Sequence, residues 1–257
     1  MPDHLRTLIV ILVLATAVFA IARAPACATA CSIEDFRRWR NTWFAITLAA
    51  FLAHNFWIFV ILASLIIFFV AAKEPNKPAL FFFILFAVSP LKADIPGLGI
   101  MNLLFTVHYP RLLALVLLLP AYFYLRKQPT SERFGQLLTD KFIIAYILLN
   151  FFLMLSANSL TNSLRVIIFY SFTDVFLPYY VTSRSLRNLQ SFREALMAFS
   201  IAAMILSAVG CFEAARGWLL YDPLERALDV KWSLGGYLDR DDTLRAIAST
   251  GQPIALG

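Results

Sequence analysis

WFAITLAAFLAHNFWIFVILASLIIFFVAA, residues 43–72, is a run without a single charged side chain. One helix needs only about 20 apolar residues to cross the hydrocarbon core of a bilayer. His54-Asn55 interrupts the run near its middle. The run therefore predicts two helices joined by a turn at His54-Asn55. The flanks agree. Arg37-Arg38-Trp39-Arg40 precedes it, and Lys73 and Lys77 follow it. A single span would place these basic stretches on opposite sides of a membrane, whereas a hairpin places both on the cytoplasmic side, where Lys and Arg accumulate.

The rest of the chain has the same character. Of 257 residues 60% are hydrophobic and 15% charged, with 24 Phe, and the mean hydropathy is +0.74. Soluble domains are about 45–50% apolar and about 25% charged. So much apolar surface exceeds what a soluble core absorbs, because soluble helices need a polar face. The formal charge of +6 comes from Lys and Arg that punctuate the apolar runs. That pattern sets membrane orientation and does not form a solvated basic face, which argues against a nucleic-acid partner.

Further spans are predicted over 111–125, 142–160, 164–181 and 195–212. The basic connections 126–141 and 184–193 face the cytoplasm, and the uncharged turn 158–163 faces the other side. A short run over 79–88 stops at Ser89-Pro90, too short for a full span, and is either re-entrant or continued through Leu91. Residues 92–110 hold Ile95-Pro96-Gly97-Leu98-Gly99, which breaks helices, and are read as an apolar loop packed on the membrane surface. Residues 1–30 form an N-terminal hydrophobic segment with Arg6 ahead of an apolar run and small residues after it. They read as a signal-like segment or a retained first helix, the second being preferred. The fold class expected is an all-α polytopic transmembrane bundle with short broken or re-entrant helices. It comprises a helical region over 31–213, a mixed-charge periplasmic loop over 214–250, and a further transmembrane helix starting at 251–257. An apolar helix that opens at the last residues predicts a longer protein.

The common soluble catalytic motifs are absent. There is no phosphate loop ending in GK[ST], no HExxH and no CxxC. His4, His54 and His108 are scattered, and Cys27, Cys31 and Cys211 have no His at zinc-ligand spacing, so no metal site is expected. Asp174 lies inside a span, where an ionised side chain costs at least about 2.5–3.5 kcal/mol. It is a functional candidate or a structural partner for an arginine on a neighbouring helix. Arg111 and Arg165 stand near the outer ends of their spans, where they either snorkel to the interface or meet an anionic headgroup. Arg245 precedes a helix opening at Gly251-Gln252-Pro253. Helix N-termini bind phosphate through unpaired N–H groups, and a guanidinium matches phosphate oxygens. An ordinary capped helix beside an interfacial Arg explains the same residues.

Arg245 with Gly251-Gln252-Pro253-Ile254-Ala255-Leu256-Gly257 resembles the motif of O-antigen ligases and polymerases, where an Arg precedes an Asn- or His-Pro helix opening; Gln252 departs from that pattern. Leu52-Ala53-His54-Asn55-Phe56-Trp57, Leu177-Pro178-Tyr179-Tyr180-Val181 and Ser183-Arg184-Ser185-Leu186-Arg187 are similar to the branch that accompanies exosortase-type glycan systems. The resemblance implies a multi-pass enzyme of the bacterial inner membrane with its active side in the periplasm. It would transfer a glycan from an undecaprenyl-diphosphate donor, with neither cofactor nor metal. The acceptor would be lipid A-core, a protein or a second lipid-linked glycan. The resemblance gives Arg245 to the donor diphosphate, with Arg111 and Arg165 as weaker candidates on the same side. The catalytic base is expected beyond residue 257, so the fragment alone is expected to be inactive. A transporter or lipid-linked-glycan flippase is the rival reading, for which the His54-Asn55 break and Asp174 speak, and a scaffold is a third.

Overall fold

The computed structural model describes residues 2–97, 103–129, 131–230, 239–240 and 243–251. The chain is predominantly helical. In order it forms α1 (Asp3–Thr29), α2 (Ile33–Leu52), α3 (Phe56–Ala71), α4 (Lys77–Ile84), strands β1 (Lys92–Pro96) and β2 (Leu103–His108), and α5 (Tyr109–Leu113). A π-helical turn, Ala114–Leu118, leads into α6 (Leu119–Lys127), followed by α7 (Leu138–Ala157) and α8 (Leu160–Arg165). A second π-helical stretch, Val166–Phe176, continues into α9 (Leu177–Ser185), and α10 (Leu189–Arg216) and α11 (Pro223–Ala227) follow. Two short strands, β3 (Asp239–Arg240) and β4 (Thr243–Leu244), pair antiparallel.

Among the described residues four helical stretches are long and apolar enough to cross a membrane: Asp3–Thr29, Leu138–Ala157, Leu160–Ser185 and Leu189–Arg216. Their exposed faces are apolar too. On α7 the side chains of Phe142, Tyr146, Leu149, Phe152 and Leu153 all face outward, and only Asp140 is buried. A helix apolar all round belongs in lipid or in a large core. This one lies at the edge of the molecule, which is the pattern of a membrane protein.

The 43–72 run breaks where the residues predicted. His54 takes a left-handed conformation (φ 54°) and its Nδ1 is 2.7 Å from the Leu52 carbonyl. Asn55 then starts α3 by accepting the Trp57 N–H at 2.9 Å, a helix N-cap. The two helices return antiparallel. The Glu74 carboxylate, just past α3, accepts from Arg38 (2.7 Å) and from the Trp39 indole (2.8 Å) near the start of α2. Aromatic packing of Phe19, Trp39, Trp43 and Phe83 joins this hairpin to α1 and α4. Such rings bury about 150–250 Å² each and dominate core energetics.

These contacts define two ends. At the basic end lie residues 30–40, 73–77, 126–141 and 184–194: Gln190 reaches the Ala30 carbonyl, and Asn76 bonds Glu194 at 2.8 Å. At the opposite end lie the start of α1, the His54 turn and residues 218–230. His4 and His54 meet edge to face at 5.9 Å, and the Phe56 N–H bonds the Leu228 carbonyl at 3.0 Å.

One expectation needs correction. Residues 92–96 and 103–108 are not an apolar loop, because β1 and β2 pair antiparallel with Lys92 opposite His108 and Ile95 opposite Phe105. Pro96-Gly97 breaks helices, but it equally ends one strand of a hairpin, and alternating exposure along β1 suits a half-covered strand. Of the two readings of the 79–88 run, the structure follows the one that continues through Leu91, with α4 as its helical part. The chain runs on through the buried Val88 and Leu91 into β1, towards the opposite end. The 214–250 region contains a short helix, α11, on a buried apolar cluster. Leu219, Leu220, Tyr221, Leu224 and Leu228 are buried around α11.

Both π-helical stretches end just before a proline in the next helix, Pro120 or Pro178. The proline ring collides with the carbonyl four residues back and cannot donate to it, so the preceding turn widens. Such wide turns occur often at functional sites. One follows Arg111 directly, and the other contains Asp174.

Candidate functional site

Three of the four residues singled out above gather where the second π-helical stretch packs on the β1–β2 hairpin. His108 ends β2 and caps α5, accepting the Arg111 N–H at 3.3 Å on its Nδ1. This sends the Arg111 side chain inward, where it is 5% exposed. Its Nε donates to Asp174 Oδ1 at 2.9 Å and its Nη2 to Asp174 Oδ2, a two-pronged ion pair. Its Nη1 donates to the Thr106 carbonyl. The guanidinium lies 3.9 Å from the centre of the Tyr170 ring and 5.2 Å from that of Phe105, at cation–π distance. Asp174 therefore has the structural partner that its burial cost required, and the partner is Arg111.

Arg165 stands over the same Tyr170 ring at 5.7 Å. Its Nη1 donates to the Leu103 carbonyl at 2.6 Å and its Nη2 to Asn162 Oδ1 at 2.5 Å, while its Nε is buried with no partner. Among the described residues no carboxylate touches it. Arg111 is neutralised by Asp174, whereas Arg165 keeps its charge, and that makes Arg165 the stronger anion receptor of the two.

Residues that the sequence did not point to complete the cluster. Thr106 Oγ1 donates to Asp94 Oδ1 at 2.7 Å and so accepts from the Tyr170 hydroxyl at 3.1 Å, tying the β-hairpin to the π-helical stretch. Burial, then the Arg111 charge, push the His108 pKa down to about 4. His108 is therefore neutral, and since Nδ1 accepts from Arg111, the proton sits on Nε2 as a free donor. Tyr170 precedes Asp174 by four residues, one helical turn, so its position beside the acid was readable. Thr106, Asp94 and His108 come from a hairpin that was not expected.

Among the described residues no hydrogen bond, ion pair or ring contact joins Arg245 to Arg111, Arg165 or Asp174. Arg245 is half-buried, two residues before a segment held by Glu213. The buried Glu213 carboxylate accepts from Leu220 N (2.9 Å), Ile247 N (2.9 Å) and Ala248 N (2.7 Å). Ser249 Oγ donates to the Phe86 carbonyl at 2.7 Å. The helix predicted at 251–257 lies outside the described residues except for Gly251, which has a left-handed φ of 82°.

The Arg165–Arg111–Tyr170 cluster therefore offers one uncompensated guanidinium, one ion-paired guanidinium, a neutral imidazole donor and a tyrosine. Together they suit an anion at a membrane boundary. Among the described residues no group of three His, Cys, Asp or Glu is placed to hold a metal ion. Comparison with family models, curated proteins and solved structures gave no match.

Proposed function

We propose that the chain belongs to a multi-pass glycosyltransferase of O-antigen ligase or polymerase type, acting at the periplasmic face of a bacterial inner membrane. The basic end faces the cytoplasm by the positive-inside rule, which puts Arg165 and Arg111 on the outer side. Burial of Ile11, Ala15 and Ala26 in the core supports reading α1 as a retained first span. The uncompensated charge of Arg165 beside the Arg111–Asp174 pair carries the reading. When the bond between the sugar and the diphosphate breaks, the leaving diphosphate takes the electron pair, and a fixed cation pointed at that charge lowers the barrier. Arg165 is assigned to the donor diphosphate. Arg111 orients the cluster through Asp174.

The test uses protein expressed from its complete reading frame, with an undecaprenyl-diphosphate glycan and no metal or nucleotide. Acceptor-dependent release of the lipid diphosphate, lost in Arg165→Ala, is the expected result, and product size separates ligation from polymerisation. The Arg111–Asp174 ion pair also fits a transporter or flippase, in which intramembrane ion pairs mark the substrate path. Movement of the lipid-linked glycan across vesicles without bond cleavage would replace the transferase reading with that one.

A further inference from the structure

At the basic end a cleft of about 400 Å³ opens between α6, the turn that follows it, and the junction of the second π-helical stretch with α9. Its wall is aromatic. Tyr122 meets Phe176 at 5.8 Å and Tyr180 at 4.9 Å, and Phe134 meets Phe176 at 5.0 Å. Arg126 and Arg133 line it, both exposed. Nearby acids are already engaged: Asp140 with Arg184 at 2.7 Å, and Glu132 facing Arg187 at 3.7 Å. Among the described residues neither Arg126 nor Arg133 has an ion-pair partner. Ser131 also lines the cleft, and among the described residues its buried hydroxyl has no hydrogen-bond partner. Buried hydroxyls are nearly always paired, so an orphan inside a basic cleft points to a missing acceptor.

The surroundings indicate what carries that acceptor. Phe123, Tyr124, Leu138 and Phe142 form exposed apolar surface on α6 and α7 beside the cleft. A soluble phosphate makes no use of such surface, whereas a lipid needs it for its chains. Basic pockets between helices at the cytoplasmic boundary suit anionic headgroups. We propose that this cleft binds an anionic phospholipid. The phosphate sits between Arg126 and Arg133 and accepts the Ser131 hydroxyl, and the acyl chains lie along the outer faces of α6 and α7. The site is separate from the Arg165 cluster and does not depend on glycosyl transfer.

The protein is extracted from bilayers of phosphatidylglycerol and phosphatidylcholine at equal mole fraction, and retained lipid is read by native mass spectrometry. The expected result is retention of phosphatidylglycerol over phosphatidylcholine. That preference falls about tenfold in the Arg126→Gln/Arg133→Gln double variant, falls less in Ser131→Ala, and is unchanged in Arg193→Gln, an exposed arginine at the same end. Both cleft arginines are exposed and unpaired, so the double variant keeps the wild-type unfolding midpoint. Equal retention of the two lipids, or an undiminished preference in the double variant, overturns the proposal. Displacement of the lipid by millimolar glycerol phosphate overturns the lipid assignment in favour of a soluble phosphate ester.

Discussion

Arg184 with Asp140 and Arg111 with Asp174 are both arginine–aspartate pairs between neighbouring segments, the first at the basic end and the second about three turns further along the same helical stretch, Leu160–Ser185. Their surroundings differ. Arg184 and Asp140 are each 0% exposed, while Asp174 is 35% exposed. Asp140 receives four donors: Arg184 Nη2, the Tyr179 hydroxyl, and the backbone N–H groups of Gly135 and Leu137. A carboxylate has about four lone-pair sites, so Asp140 is saturated. Asp174 receives Arg111 twice and the Thr173 hydroxyl, and keeps an open side. The first pair locks α7 and its preceding turn to α9 and has nothing left to offer a ligand. The second is an ion pair with access, next to an arginine with no carboxylate of its own.

The largest effect is expected at the closed pair. Asp140→Ala strands a buried guanidinium and should cost about 3–5 kcal/mol, read as a lower unfolding midpoint in detergent. Asp140→Leu with Arg184→Met should recover most of it. Recovery by neither would mean that the turn geometry, not the charge, holds α7. Beside the open pair Arg165→Ala should lower glycan transfer by about 10²–10³ with near-normal thermal stability, since that side chain is only partly buried. A comparable loss of stability would make Arg165 structural and erase the contrast between the two regions.

Glu213 extends the comparison to a carboxylate that, among the described residues, is held by three backbone N–H groups. Glu213→Gln keeps the volume but turns an amide N–H towards backbone donors. It should cost about 1–3 kcal/mol and open the 245–251 segment to limited proteolysis. Unchanged cleavage there would show that Ser249 and Ile247 suffice. The smallest effect is expected at His108. The fold holds it neutral, with a pKa near 4, while the unfolded chain protonates it near 6.5. Its stabilisation is complete above pH 6.5 and is lost as pH falls through about 4. Amide protection in β1 and β2 should therefore drop over that window, and His108→Asn, which keeps a capping side chain, should flatten the dependence.

Much of the helical layout was legible because it depends on local chemistry. The break at His54-Asn55 needed only an overlong apolar run, one capping residue and the charges at either side. Arg111, Arg165 and Asp174 were found because ionisable groups near lipid are costly and therefore rare. The hairpin was missed because Pro96-Gly97 signals only the end of a helix. Whether a strand follows depends on a partner, and residues 103–108 carry no strong alternation. Glu213 was missed as an organiser because its three donors come from residues 7, 34 and 35 positions away.

The sequence by itself determined that this chain is helical and suited to lipid, where its main helical run must break, and which end is basic. Each follows from hydrophobicity, capping and charge within a few turns of chain. The tertiary structure alone decided that Asp174 belongs to Arg111 and that Arg165, among the described residues, has no carboxylate partner. Pairing of charges depends on which helices become neighbours, and that is set by packing between residues far apart in the chain: Arg111 and Asp174 are separated by 63 positions.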